Sequence, residues 1–170
     1  MSNTDLDVRP VTAADVDAIG ALARLIWQQA YPGIITQAQI DYMLAQRYAP
    51  AYLRAELTRA DLWWDQAFSD GERVGFSSCL LTATPGEIKL DKLYVHPERQ
   101  RRGIGAALLA QVLAHGRAHG CETVILAVNK QNRNAIAAYE KHGFVVRDAV
   151  RVDIGGGFVM DDFIMARTIG

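Results

Sequence analysis

Hydrophobic positions recur at helical spacing through the first sixty residues and at strand spacing soon after. Val16, Ile19, Leu22, Leu25 and Ile26 fall three or four apart, predicting a helix over 13–31. Thr12 is its expected cap, Asp15 lies early in it, and Pro32-Gly33 stops it. Ile40, Met43 and Leu44 share a face of a second helix over 37–46; a third covers 51–58, and a short strand over 6–9 precedes all three. Then the period changes. LWWDQAF and RVGFSSCLLTAT flank Asp70-Gly71 and predict a hairpin, and EIKLDKLYV follows the Pro85-Gly86 turn. A helix over 103–119 carries Ile104, Leu108 and Val112 on its core face and ends at Gly120. TVILAV (123–128) is apolar throughout, as a strand in the middle of a sheet should be. A helix over 132–142 closes at Gly143, and strands over 143–154 and 158–168 meet at Gly155-Gly156-Gly157.

Strand and helix alternate only around LYV, the 103–119 helix and TVILAV. One right-handed crossover therefore makes that pair parallel, and short turns make the other neighbours antiparallel. The expected fold class is α/β (α+β): a single domain over 1–170, a mixed and mostly antiparallel sheet with helices packed on it.

Composition narrows the function. A net charge of −1 on 170 residues argues against nucleic acid as a partner, since phosphate contacts need a basic surplus. Cys79 and Cys121 stand apart with no CxxC or Cys/His spacing, so neither a disulfide framework nor a zinc site is expected. His115 and His119, one helical turn apart, lack a third ligand nearby and are expected on a solvated face. The opening MSNTDLDVRP lacks the apolar core of a secretory signal, and no run is long enough for a membrane span. The expectation is a cytoplasmic protein with no membrane partner.

Against that plain background one stretch stands out. HPERQRRGIGAALL (96–109) sets three arginines and a glutamine around Gly-x-Gly, between a strand and a helix. Unpaired amides at a helix mouth, backed by the helix dipole, seat an anion. A Walker loop would need Gly-Lys-Ser/Thr, but Ala106-Ala107 follows Gly105; a dinucleotide fingerprint would need a third glycine where Leu108 stands. What remains is Gln/Arg-x-x-Gly-x-Gly/Ala, met by Gln100-Arg101-Arg102-Gly103-Ile104-Gly105.

That loop and VNKQNRNAIAAYEKHGF (128–144) together resemble the two signature regions of the GCN5-related N-acetyltransferase (GNAT) family. The resemblance implies a fold in which the parallel strands splay apart with helices on both faces, and acetyl-CoA as cosubstrate. It implies a diphosphate held by the amides of Arg101, Arg102, Gly103, Ile104, Gly105 and Ala106, with Gln100 in the same motif. A pantetheine arm would lie along Leu93, Tyr94 and Val95, Asn132 would touch the cofactor, and Tyr139 would stand beside its sulfur.

Acetyl transfer to an amine needs the ammonium deprotonated, at a cost on the order of 4–5 kcal/mol at neutral pH for a pKa of roughly 10. It also needs a donor for the departing thiolate. The resemblance offers Tyr139 as that donor, although on composition alone Tyr139 is a core aromatic. It offers Asp91 as base where many family members carry glutamate; the competing reading is a carboxylate paired with Lys89 or Lys92. Residues 27–44 and 155–167 look like a bacterial branch of PaiA-type polyamine acetyltransferases, which makes Trp27, Tyr31, Met160, Asp161 and Asp162 candidates for an acceptor pocket. Strand alternation allows only one of Asp161 and Asp162 into a given pocket. The expected activity is acetylation of a small primary amine, polyamine-like by preference. Peptide or protein acetylation and a non-catalytic acetyl-CoA regulator are the alternatives, and an apolar C-terminal hairpin leaves room for a homodimer.

Overall fold

The computed structural model describes residues 5–100 and 102–170. Strand β1 (Leu6–Pro10) leads through a 3-10 turn at Ala13–Asp15 into α1 (Val16–Ala30), α2 (Gln37–Arg47) and α3 (Pro50–Leu57). Strands β2 (Leu62–Ser69), β3 (Glu72–Leu81) and β4 (Glu87–Val95) follow, then α4 (Ile104–Ala118), β5 (Thr123–Asn129), α5 (Arg133–Lys141), β6 (Val145–Gly155) and β7 (Phe158–Thr168). They form one seven-stranded sheet in the order β1-β2-β3-β4-β5-β7-β6. The β4–β5 pair is parallel and the other neighbours are antiparallel. No helix among the described residues is long and apolar enough to cross a membrane.

The core has two sides. Beneath α1, α2 and α3, Ile19, Ile26, Trp27, Ile40 and Met43 pack on Trp64 and Phe76 of the sheet. Beneath α4 and α5, Val112 and Phe144 pack on Ile88, Leu90 and Val124, while Ile104 and Leu108 pack on Ala67 and Val74. Leu25, expected on the inner stripe of α1, is 40% exposed. Ala23 and Trp27 hold the inward positions instead, because a 3.6-residue period carries the stripe past Leu25. Thr12 is the N-cap of the 3-10 turn that opens into α1, as expected; Asp15 Oδ2 accepts from the Thr12 amide at 2.8 Å and from Gln66 Nε2 at 2.8 Å, which pins the entry of α1 to the sheet.

Close approach of α4 to β3 depends on Gly75. A Cβ there would lie 2.9 Å from the Tyr94 carbonyl oxygen and 3.2 Å from Leu108 Cδ1. The first of these is backbone and cannot move aside cheaply. Gly75→Ala is expected to cost about 2–3 kcal/mol, as overpacking of a filled core does. A drop in the urea midpoint with an unchanged slope would register it.

His115 departs from its expected solvated position. Its Nε2 lies 2.8 Å from Oδ2 of buried Asp65, and its ring stacks on Trp63 at 5.0 Å. That contact joins α4 to β2 and gives a buried carboxylate its partner.

Candidate active site

The site begins with one extra residue. On β4, Lys92 pairs with Ser78 and Leu90 with Cys79, so Asp91 bulges out of the ladder. Before the bulge Ile88 and Leu90 face the α4 side; after it Leu93 and Val95 do, while Tyr94 joins the opposite core. The slip places Asp91 and Lys92 on one face, where strand alternation would separate them.

Lys92 is 3% exposed, with its ammonium 5.1 Å above the Trp64 ring, 5.8 Å from that of Tyr48 and 6.0 Å from that of Tyr52. Its Nζ contacts Asp91 Oδ2 at 2.6 Å. A buried charge needs such company. Burial alone would raise the Asp91 carboxyl, but Lys92, then Lys89 and Arg47, outweigh it and hold it below the ordinary carboxylate value.

Past the bulge the parallel strands part. Pairing of β4 with β5 ends at Leu90↔Leu126, yet β4 stays on β3 as far as Val95↔Gly75 and β5 stays on β7 as far as Asn129↔Asp162. Ala127 is exposed although its strand is central, which marks the opening. The His96 amide donates to the Val74 carbonyl at 2.7 Å. In an antiparallel ladder that parity turns the N–H and C=O groups of Leu93 and Val95 away from β3, toward the cleft. They form an open sheet edge inside the molecule, ready to pair with an amide-bearing chain.

At one end of the cleft lies the mouth of α4. Gly103 caps the helix with φ 78°, a left-handed conformation suited to glycine, and a Cβ on it would meet nothing within 4 Å. Gly105 faces the same space with Leu93 and Val95 side chains no nearer than 3.8 Å to a Cβ there. The unpaired first amides of α4 open here beside exposed Ala106. Gln100 Nε2 reaches the Val95 carbonyl at 3.4 Å, Arg102 is exposed, and Arg99 pairs with Glu72. Arg101, the other expected contributor, lies outside the described residues.

One cavity of about 900 Å³ runs from this mouth along the cleft. Gly103–Ala106, Leu93–Val95, Gln100, Asp91, Asn132 and Tyr139 line it, as do Trp27, Tyr31, Met160 and Asp162. Among the described sequence-derived candidates two do not line it: Arg102, at the exposed rim of the mouth, and Asp161, which borders a separate, shallower pocket with its Oδ1 2.9 Å from Lys130 Nζ. Asn132 caps α5 through its Oδ1, which accepts from the Ala135 amide at 3.2 Å, and its amide donors have no partner among the described residues. Tyr139 packs its ring on Phe144 at 5.5 Å. Tyr31 and Tyr94 join their hydroxyls at 2.8 Å, with the Trp27 ring 4.5 Å from Tyr31 and 5.8 Å from Tyr94. Burial raises the phenols of Tyr31, Tyr94 and Tyr139, and for the last two nearby Tyr31 adds to the effect. All three remain protonated donors at neutral pH.

Sequence reasoning missed Lys92, Arg47 and Asn129, which also line the cavity. Nothing local marks a lysine in a strand as buried. Arg47, in the last turn of α2, reads as an ordinary helix-end cation.

An unpaired helix mouth, an open strand edge and a half-buried phenol thus share one cavity, an arrangement suited to an acyl donor that carries phosphates and amides. The chain belongs to the acetyltransferase (GNAT) family, whose model matches residues 22–144. It is 27% identical over 160 residues to spermidine N(1)-acetyltransferase of Thermoplasma acidophilum, covering 92% of this chain and 96% of that one. The crystal structure of the PaiA N-acetyltransferase of T. acidophilum in complex with coenzyme A superposes with a TM-score of 0.84 at 27% identity, covering 99% of both chains. The ribosomal-protein-S18-alanine N-acetyltransferase of Escherichia coli shares the fold at 23% identity, with a TM-score of 0.69 over 96% of this chain and 94% of that one. The protein is thus an acetyl-CoA-dependent acetyltransferase.

Proposed function

We propose that this enzyme transfers the acetyl group of acetyl-CoA to a primary amine of a small, polyamine-like cation, both partners being bound together. One observation carries the reading. A single cavity is lined at one end by the helix mouth and at the other by aromatic rings and the Asp162 carboxylate. Aromatic faces and a buried carboxylate suit a cationic alkylamine.

Acetyl-CoA supplies an activated acyl group on a thiol leaving group. The amides from Arg102 to Ala106, with the arginine side chains, hold the diphosphate at the helix mouth. Leu93 and Val95 pair with the amides of the arm, and the Val95 N–H polarises the thioester oxygen. Asn132 offers its free amide donors to the arm. Tyr139 donates its hydroxyl hydrogen to the developing thiolate; its raised pKa makes it a steady donor and a reluctant acid. Asp91, already bonded to Lys92 and held ionised, contributes fixed negative charge. A carboxylate with a depressed pKa is a poor proton acceptor.

Thiol release from acetyl-CoA against spermidine, amino acids, aminoglycosides and short peptides tests the reading. Spermidine-like amines are expected to give the highest kcat/KM. Faster turnover of a peptide α-amine would transfer the assignment to protein acetylation.

A further inference from the structure

The reaction needs a group that takes a proton from the acceptor, and Asp91 is engaged. We infer that Asp162 is the receptor for the acceptor's ammonium and the base that deprotonates it. The inference rests on the amine-transfer reading above and assigns its missing role.

Asp162 is 5% exposed, yet its Oδ1 has no hydrogen-bond partner among the described residues. It borders the cavity. Its strand position explains why: Asp162 pairs with Asn129, the last rung before β5 turns away, so it stands on the wall of the opened cleft. Asp161, its neighbour, points to the opposite face; its Oδ1 makes no hydrogen bond either, but it has a counter-charge, Lys130 Nζ at 2.9 Å, which Asp162 lacks at that distance among the described residues. An unpaired buried carboxylate costs free energy unless a ligand supplies the partner. A charge-assisted bond from an alkylammonium does so.

The surroundings also suit a base. Burial raises the Asp162 carboxyl, and Asp161 raises it further. Arg47 on α2, Lys89 on β4 and Lys130 after β5 pull the other way without overcoming burial. Tyr31, at the end of α1, also feels the Asp162 charge and stays neutral. From β6, Val150, Val152 and Ile154 line the same space with apolar side chains. A carboxylate moved toward neutrality is better matched to proton abstraction than one held down by an ammonium.

The step balances within the pair. One N–H bond of the ammonium breaks with its electrons left on nitrogen, and an O–H bond forms at Oδ1. The carboxylic acid returns that proton to solvent once the product leaves. The freed lone pair is the nucleophile.

The experiment compares wild type with Asp162→Asn, using spermidine as probe. At pH 7 the variant's kcat/KM is expected to fall about 100-fold or more, the usual value of a positioned base. The deficit should shrink steadily as pH rises toward the amine's own pKa, because a free amine needs no base. A merely structural role would leave an equal deficit at every pH. Spermidine titrated calorimetrically into the CoA-bound variant should bind at least about tenfold more weakly, the value of one lost charged contact. CoA itself should bind equally to both proteins. The thermal midpoint should hold or rise, since an unpaired buried charge is removed.

Unchanged kcat/KM, a pH-independent deficit, unchanged spermidine affinity or failure of Asp162→Asn to fold would each overturn the assignment. If wild type acetylates no amine, the amine-transfer reading fails; if it acetylates spermidine and the variant keeps pace, only the role of Asp162 fails.

Discussion

Tyr139→Phe is expected to lower kcat with acetyl-CoA and spermidine roughly 100- to 1,000-fold, the usual loss when one preorganised donor to a developing anion is removed. The ring stays on Phe144, so packing and CoA affinity should be preserved. The effect should be confined to kcat, because the hydroxyl meets charge only as the carbon–sulfur bond breaks. Nor should the wild-type rate show an alkaline limb from Tyr139 near the ordinary tyrosine value, since burial raises that phenol. Steady-state thiol release from pH 6 to 10, with calorimetric CoA binding, measures both. A variant at the wild-type rate would assign Tyr139 to the core alone and favour a regulator that binds without turnover.

Lys92→Met is expected to be the most damaging single change to stability. Methionine suits the ring-lined space left by the lysine stem. It also strands Asp91, and breaking a buried pair by removing one member costs about 3–5 kcal/mol. The pH dependence supplies the signature. In wild type the Asp91 carboxyl is depressed, so its contribution is present above the unfolded value of about 3.9 and lost as pH falls through the lower folded value. In the variant only the weaker pulls of Lys89 and Arg47 still oppose burial, the carboxyl rises, and the deficit should grow with pH and fade in acid. Asp91→Asn combined with Lys92→Met should recover most of the loss. Urea unfolding at several pH values decides it; a small, pH-independent deficit would mean the pair contributes little.

Local patterns carried the helix mouth, the two signature segments and the element order, because glycine placement and 3.6- or two-residue periods are written within ten residues of chain. The face of Asp91 was not available that way. EIKLDKLYV read by alternation groups Asp91 with Leu93 and Val95, and only the slip against Ser78 and Cys79 moves it beside Lys92 and Tyr94. Likewise, alternation confined the cavity to one of Asp161 and Asp162 but could not choose between them. The choice is made by register with Asn129 on another strand. His115 failed for a related reason: its partner Asp65 is fifty residues away, and nothing within its own helix points to that carboxylate. Contacts set by register and long-range packing are those that a one-dimensional period cannot encode.

The claim that carrier and acceptor meet in one cavity has a direct measurement: calorimetric affinity for CoA joined through its sulfur to spermidine, compared with CoA alone. If both halves share the cleft, the second binding event is intramolecular, and the conjugate should bind roughly 100-fold or more tighter than CoA. Excess free spermidine should erode that advantage, and Asp162→Asn should remove most of it. A conjugate that binds no better than CoA would contradict the account.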